Sequence, residues 1–179
     1  MGLSLTLSLL AVGCVGRAIG EGAEKTLGPK GDYWQEVPAS PSKHIKVFEG
    51  YSRFELGEVR NDFGKNVPTE FFPMFQAEFA KQFAAAKLSD RPGKTLVFRV
   101  RVIHYEQADT TDNILGPLEQ VVAAVEIVDK DSGKLLASGN AIGRTGKSVG
   151  LGTEWKARGL AKALVKWVTD YYPPARGSN

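Results

Sequence analysis

From residue 94 to 106 the chain alternates, with Leu96, Phe98, Val100 and Val102 on one side and Arg99 and Arg101 on the other. A period of two is the side-chain repeat of a β-strand, so this segment is a strand with one face in a core and one toward water. Two further β-rich runs, 121–128 and 135–142, are joined by Asp129-Lys130-Asp131-Ser132-Gly133. That turn composition between apolar runs predicts a hairpin. Upstream, Ile45, Val47, Phe54 and Leu56 indicate one or two short strands before a turn at 61–64.

Two segments change period. Phe72, Phe75, Phe79, Phe83 and Ala86 recur every three or four residues, which places them on one helical stripe with Pro73 in the first turn, where proline is tolerated. Each ring contributes about 2 kcal/mol or more when buried, so the stripe is read as core rather than as a lipid groove. From 153 to 172, Leu160, Ala163, Leu164, Trp167, Val168 and Tyr171 share a face, and Arg158, Lys162 and Lys166 take the opposite, solvated one. Pro173 and Pro174 stop that helix. The order is strand, helix, three strands and helix. It predicts an α+β fold, α/β-like, with a mixed sheet of four to five strands and helices packed on it. If the strands flanking the Phe-rich helix are parallel, their crossover should be right-handed.

The 179 residues are 42% hydrophobic and 24% charged with a net charge of +3, which suits one domain and excludes a large multidomain enzyme or a disordered chain. The surplus of cations is too small and scattered to imply nucleic acid. Cys14 is the single cysteine, so no intrachain disulfide and no multi-thiolate zinc site can form. It follows an apolar run from residue 3, and Leu9, Leu10, Ala11, Val12 and Gly13 stand immediately before it. This has the pattern of a signal peptide, 1–13, ending in a lipobox whose Cys14 thiol receives lipid. Ala11 stands where leucine is commonest, and no Lys or Arg precedes the run. The run is too short to span a bilayer, since Arg17, Glu21 and Glu24 follow it. The alternatives are an ordinary cleaved signal on a secreted or periplasmic soluble protein, or an amino-terminal core strand. Residues 14–43, rich in Gly and Pro, read as the lipidated cysteine and a flexible tether, with Tyr33 and Trp34 as one sticky patch expected to dock on the domain. The single domain is then 44–174, with a tail at 175–179.

The sharpest chemical signal is Ala141-Ile142-Gly143-Arg144-Thr145-Gly146-Lys147-Ser148, a relaxed phosphate loop with Ala in place of the first Gly. A true phosphate loop needs a helix starting at the Gly-Lys-Ser corner, yet Gly150 and Gly152 follow. A flexible loop through Gly143, Gly146, Gly150 and Gly152 is the favoured reading, and nucleotide binding by Gly146, Lys147 and Ser148 is the alternative. His44 and His104 have no companions for a metal or catalytic site, and His104 reads as a satisfied surface or edge side chain. Asp109, Asp112 and Glu119, with Thr110 and Thr111, lack the calcium-loop spacing and read as a solvated loop. No nucleophile elbow is present. A non-enzymatic protein without cofactor or metal is expected.

The apolar leader with Cys14, the Phe-rich helix, the hairpin Val121–Asp129 to Leu135–Gly139 and the Gly-rich loop before an Ala/Leu helix together resemble a family of uncharacterised bacterial envelope lipoproteins. The fold of these proteins is similar to the amino-terminal domain of TolB and to the curli-secretion lipoprotein. The resemblance implies a binding or assembly role in the envelope, contacts with other envelope proteins or with copies of itself, and no family site residues. Val15 after the cysteine, by resemblance to enterobacterial lipoproteins, implies the outer membrane with the domain facing the periplasm.

Overall fold

The structure, a computed structural model, describes residues 29–37, 47–64, 66–88, 92–106, 119–145 and 152–171. Five strands, β1 (Lys30–Val37), β2 (Tyr51–Asn61), β3 (Lys94–Tyr105), β4 (Gln120–Asp129) and β5 (Leu135–Arg144), form one sheet in the order β1-β5-β4-β3-β2. Helix α1 (Phe71–Ala86) connects β2 to β3, and α2 (Gly152–Asp170) follows β5. The pair β2/β3 is parallel and all other neighbours are antiparallel, so the sheet is mixed and the fold is α+β as expected.

Inward positions alternate along each central strand. Leu96, Phe98, Val100 and Val102 of β3, Val121, Ala123, Val125 and Ile127 of β4, and Ala137 and Ala141 of β5 are buried. Opposite them the α1 residues Phe71, Phe75, Phe79 and Phe83 recur at a strict interval of four. The rings of Phe79 and Phe83 lie 5.3 and 5.2 Å from Phe98, and Phe83 also meets Phe54 at 4.9 Å. Such pairs add to area burial. The α2 face carrying Leu160, Ala163, Leu164, Trp167, Val168 and Tyr171 is buried as its spacing indicates. Between the helices, the Arg158 guanidinium of α2 lies 3.3 Å from Glu78 of α1 and also pairs with Glu154.

Two expectations need correction. Residues 30–37, placed by sequence within the tether 14–43, form edge strand β1 on β5, from Lys30↔Arg144 to Val37↔Ser138. The domain therefore begins before residue 44. Tyr33 does dock, stacking on Trp167 at 5.0 Å with 6° between the rings and donating its hydroxyl to Asp170, whereas Trp34 is 72% exposed. Gly143, read as a loop glycine, lies inside β5. A Cβ there would stand 2.3 Å from Leu160 N, and one at Gly31 would stand 2.1 Å from Gly159 O. These glycines let the α2 backbone rest directly on β1 and β5.

Candidate functional site

Cys14 and the Gly146, Lys147 and Ser148 triplet lie outside the described residues, as do His44, Asp109, Thr110, Thr111 and Asp112. Their flanks are defined. At the end of the sheet where β3 stops and α2 begins, Lys156 is 1% exposed although lysine in a helix ordinarily faces water. Its Nζ donates to the Glu119 carboxylate and to the Glu106 carbonyl, and lies 4.1 Å from the Tyr105 ring centroid. Tyr105 in turn donates to Thr153 Oγ1 at 3.1 Å. Glu119, placed by sequence in a solvated loop, is thus buried and ion-paired, because β4 starts one residue later and carries it under α2. Burial pushes the Lys156 ammonium below its ordinary value, against the pull of Glu119.

This cluster closes the base of the segment between β3 and β4. Glu106 N donates to Gln120 O, Gln120 N donates to a Glu106 carboxylate oxygen, and Thr145 N donates to Glu119 O. The Glu119 carboxylate sits at the start of α2, where a Cβ on Gly152 would meet its Oε2 at 2.8 Å. The site a phosphate would approach at a helix start therefore already holds a protein carboxylate. Neither residues 94–106 nor residues 153–172 by themselves name the partner of Lys156. The one clue is that Lys156 falls four residues before Leu160, on the apolar stripe of its helix.

The opposite end of the sheet is fixed by Asp129, which accepts from Ser132 N and Oγ at 2.7 Å and from the Tyr51 hydroxyl at 2.7 Å. The Ser132 bonds, followed by that of Tyr51, hold its carboxyl well below the usual carboxylate range. Burial and the bond to Asp129 push the Tyr51 hydroxyl up to about 12.

Both helices pack on one face of the sheet, where the inward residues lie; the other face carries Arg99, Arg101 and Glu126. On it Arg99 pairs with Glu126 at 3.7 Å and Arg101 with Asp62 at 3.1 Å. Register slips between Leu56 and Val59, so Gly57 and Glu58 bulge opposite Arg99. Beside the bulge, Glu58, Arg60, Arg99, Val100, Arg101 and Glu126 line an open depression of about 260 Å³. His104 rests against Phe63 at 5.3 Å and reaches Glu106 at 3.3 Å, a satisfied surface side chain on β3, which is internal to the sheet. The cations expected to be merely solvated on α2 are engaged: Arg158 as above, Lys162 with Pro29 O at 3.3 Å, and Lys166 with Asp170 at 2.9 Å. Among the described residues no three acidic, His or Cys side chains are placed to hold a metal, and no helix is long and apolar enough to cross a membrane.

No protein-family model and no curated protein matches the chain. Solved structures do share its fold. Two are PelC from Paraburkholderia phytofirmans, one of them a point variant and both described as dodecamers. Each aligns at a TM-score of 0.51 and 14% identity over 81% of this chain and 99% of its own.

Proposed function

We propose that this chain is a lipid-anchored envelope protein, attached through Cys14 at the outer membrane and facing the periplasm, which acts without catalysis by assembling with copies of itself and binding other envelope proteins. The observation that carries the reading is the fold shared with PelC, whose structures are dodecamers. Among the described residues both helices lie on one face of the sheet and β1 and β2 stand at its two edges, an arrangement suited to such contacts. The apolar run ending at Cys14 supports the anchor. Lys30, where β1 begins, lies close enough in sequence to Cys14 that the intervening chain can extend at most roughly 60 Å, which keeps the domain near the bilayer. Cell fractionation tests the anchor: native protein is expected with the membranes and Cys14→Ser in the soluble fraction. Unchanged membrane retention of the variant, or an unacylated Cys14 by mass spectrometry, would overturn it. The mass of the detergent-extracted native protein tests self-assembly.

A further inference from the structure

Trp34, Asn140, Ala124, Arg101 and Arg60 form one row across the sheet, each opposite the next in the strand pairing. All five lie on the side away from the helices, because their chain neighbours Tyr33, Ala141, Ala123, Val102 and Val59 pack into the core. Trp34 ends the row on edge strand β1 and is 72% exposed, while Arg60 ends it on β2 at the arginine-lined depression. β4 is the middle strand, so a half turn about an axis along β4 exchanges β1 with β2 and β5 with β3 and keeps every row at its height. We propose that two copies of this chain pair face to face through the uncovered side of the sheet about that axis, with Trp34 of each seated on Arg60 and Arg101 of the other. The inference rests on the self-assembly reading above and names its interface.

The depression measures about 260 Å³, below the roughly 300 Å³ at which small-molecule pockets begin, so it suits one side chain better than a free ligand. Arg60, Arg99 and Arg101 hold Glu58, Glu126 and Asp62 at their nitrogens, whereas an indole takes the flat face of a guanidinium. Seating Trp34 therefore breaks no ion pair, and the three cations and three anions around it already cancel. Tryptophan and arginine are also the residue types that carry most of the binding energy at protein interfaces. Five strands about 4.8 Å apart, with ten residues of about 3.4 Å each in β4, give a face of roughly 650 Å². Pairing two such faces buries about 1,300 Å² in all, within the range of stable interfaces.

The direction of the axis is set by charge and by the chain ends. A half turn about an axis across the strands would lay β1 on β1 and β2 on β2, bringing like charges together and leaving Trp34 without an arginine. It would also send the two Lys30 ends in opposite directions. The axis along β4 keeps the two β1 strands parallel, so both chains leave Lys30 at one end of the pair and the proposed Cys14 anchors can enter one bilayer. Ala124, the fifth of ten residues in β4, meets its own counterpart on this axis, where its small side chain lets the sheets approach to about 10 Å.

Full-length protein extracted in detergent, weighed by light scattering during gel filtration, tests this. The native chain is expected to hold an even number of copies, and Trp34→Ala, at an exposed position, should cut that number to half or less. Ala124→Glu and Ala124→Lys each set a charge against its own copy on the axis. Either alone should give the same reduced mass, and an equal mixture of the two should recover the native one. Trp34→Ala at the native mass, a mixture that stays apart, or an odd number of copies above one would overturn the face pairing and leave self-assembly standing. A native protein of one-chain mass at every concentration would overturn both. Shielding of Trp34 from acrylamide in that single chain, with Trp34→Phe as the reference, would then give the face to another occupant.

Discussion

The Lys156 ammonium lies 4.1 Å from the centroid of the Tyr105 ring while its protons go to Glu119 and the Glu106 carbonyl, so one helix residue ties the ends of β3 and β4 to α2. Removing one member of a buried ion pair strands the other charge. Lys156→Met and Glu119→Gln are each expected to lower unfolding free energy by about 3 kcal/mol, whereas Lys156→Met with Glu119→Leu should cost much less than the sum. Urea denaturation of the three variants measures this. Additive losses would show that the two residues act independently.

The contact between α2 and the β1/β5 edge depends on the absence of side chains at Gly31 and Gly143. Added methyl groups would meet backbone at 2.1 and 2.3 Å, and backbone cannot rotate away. Gly143→Ala and Gly31→Ala should each destabilise by about 2 kcal/mol. Gly31→Ala should also lift β1, visible as faster amide exchange at Tyr33 and loss of the Tyr33–Trp167 stacking signal in near-ultraviolet dichroism.

Strong acid should loosen the β4/β5 turn. The folded-state Asp129 carboxyl is held below its unfolded value, so its contribution is fully present above about pH 4 and is lost as pH falls from there through the depressed folded value. Asp129→Asn is expected to be less stable than the native chain at pH 7 and to show a flatter loss of stability between about pH 4 and pH 2. Stability curves from dichroism at a series of pH values give both quantities. Equal slopes for the two proteins would remove Asp129 from the acid response.

Magnesium with ATP or GTP is expected to leave the thermal midpoint of the protein unchanged, because the Glu119 carboxylate occupies the start of α2. A shift of several degrees that disappears in Lys147→Ala would instead establish the phosphate-loop alternative at Gly146, Lys147 and Ser148.

Much of the fold was legible because its elements keep one period over many residues. The helical stripe through Phe75, Phe79 and Phe83, the alternation around Phe98 and the Asp129–Gly133 turn each state their structure locally, although the first buried ring of the stripe is Phe71 at a spacing of four, and Phe72 and Ala86, expected on it, are half-buried at its side. Strand β1 was not legible, since its inward position 31 is a glycine selected by the nearness of α2, and Gly and Asp depress strand propensity. The Lys156–Glu119 pair was missed for a related reason. Its members are far apart in sequence, and only the place of Lys156 on the apolar stripe of α2 sets either of them apart from a surface charge.

Among the described residues β1 is the first strand to be made, yet its partner on the sheet, β5, is the last. Lys30 pairs with Arg144 and Trp34 with Asn140, so the opening segment must wait for nearly the whole domain before its hydrogen bonds can form. Long loops of this kind slow folding, and until they close the β5 edge stands vacant. During that interval the same groove on β5 can accept the leading strand of any nearby copy, which makes exchange between crowded chains a built-in hazard of this topology.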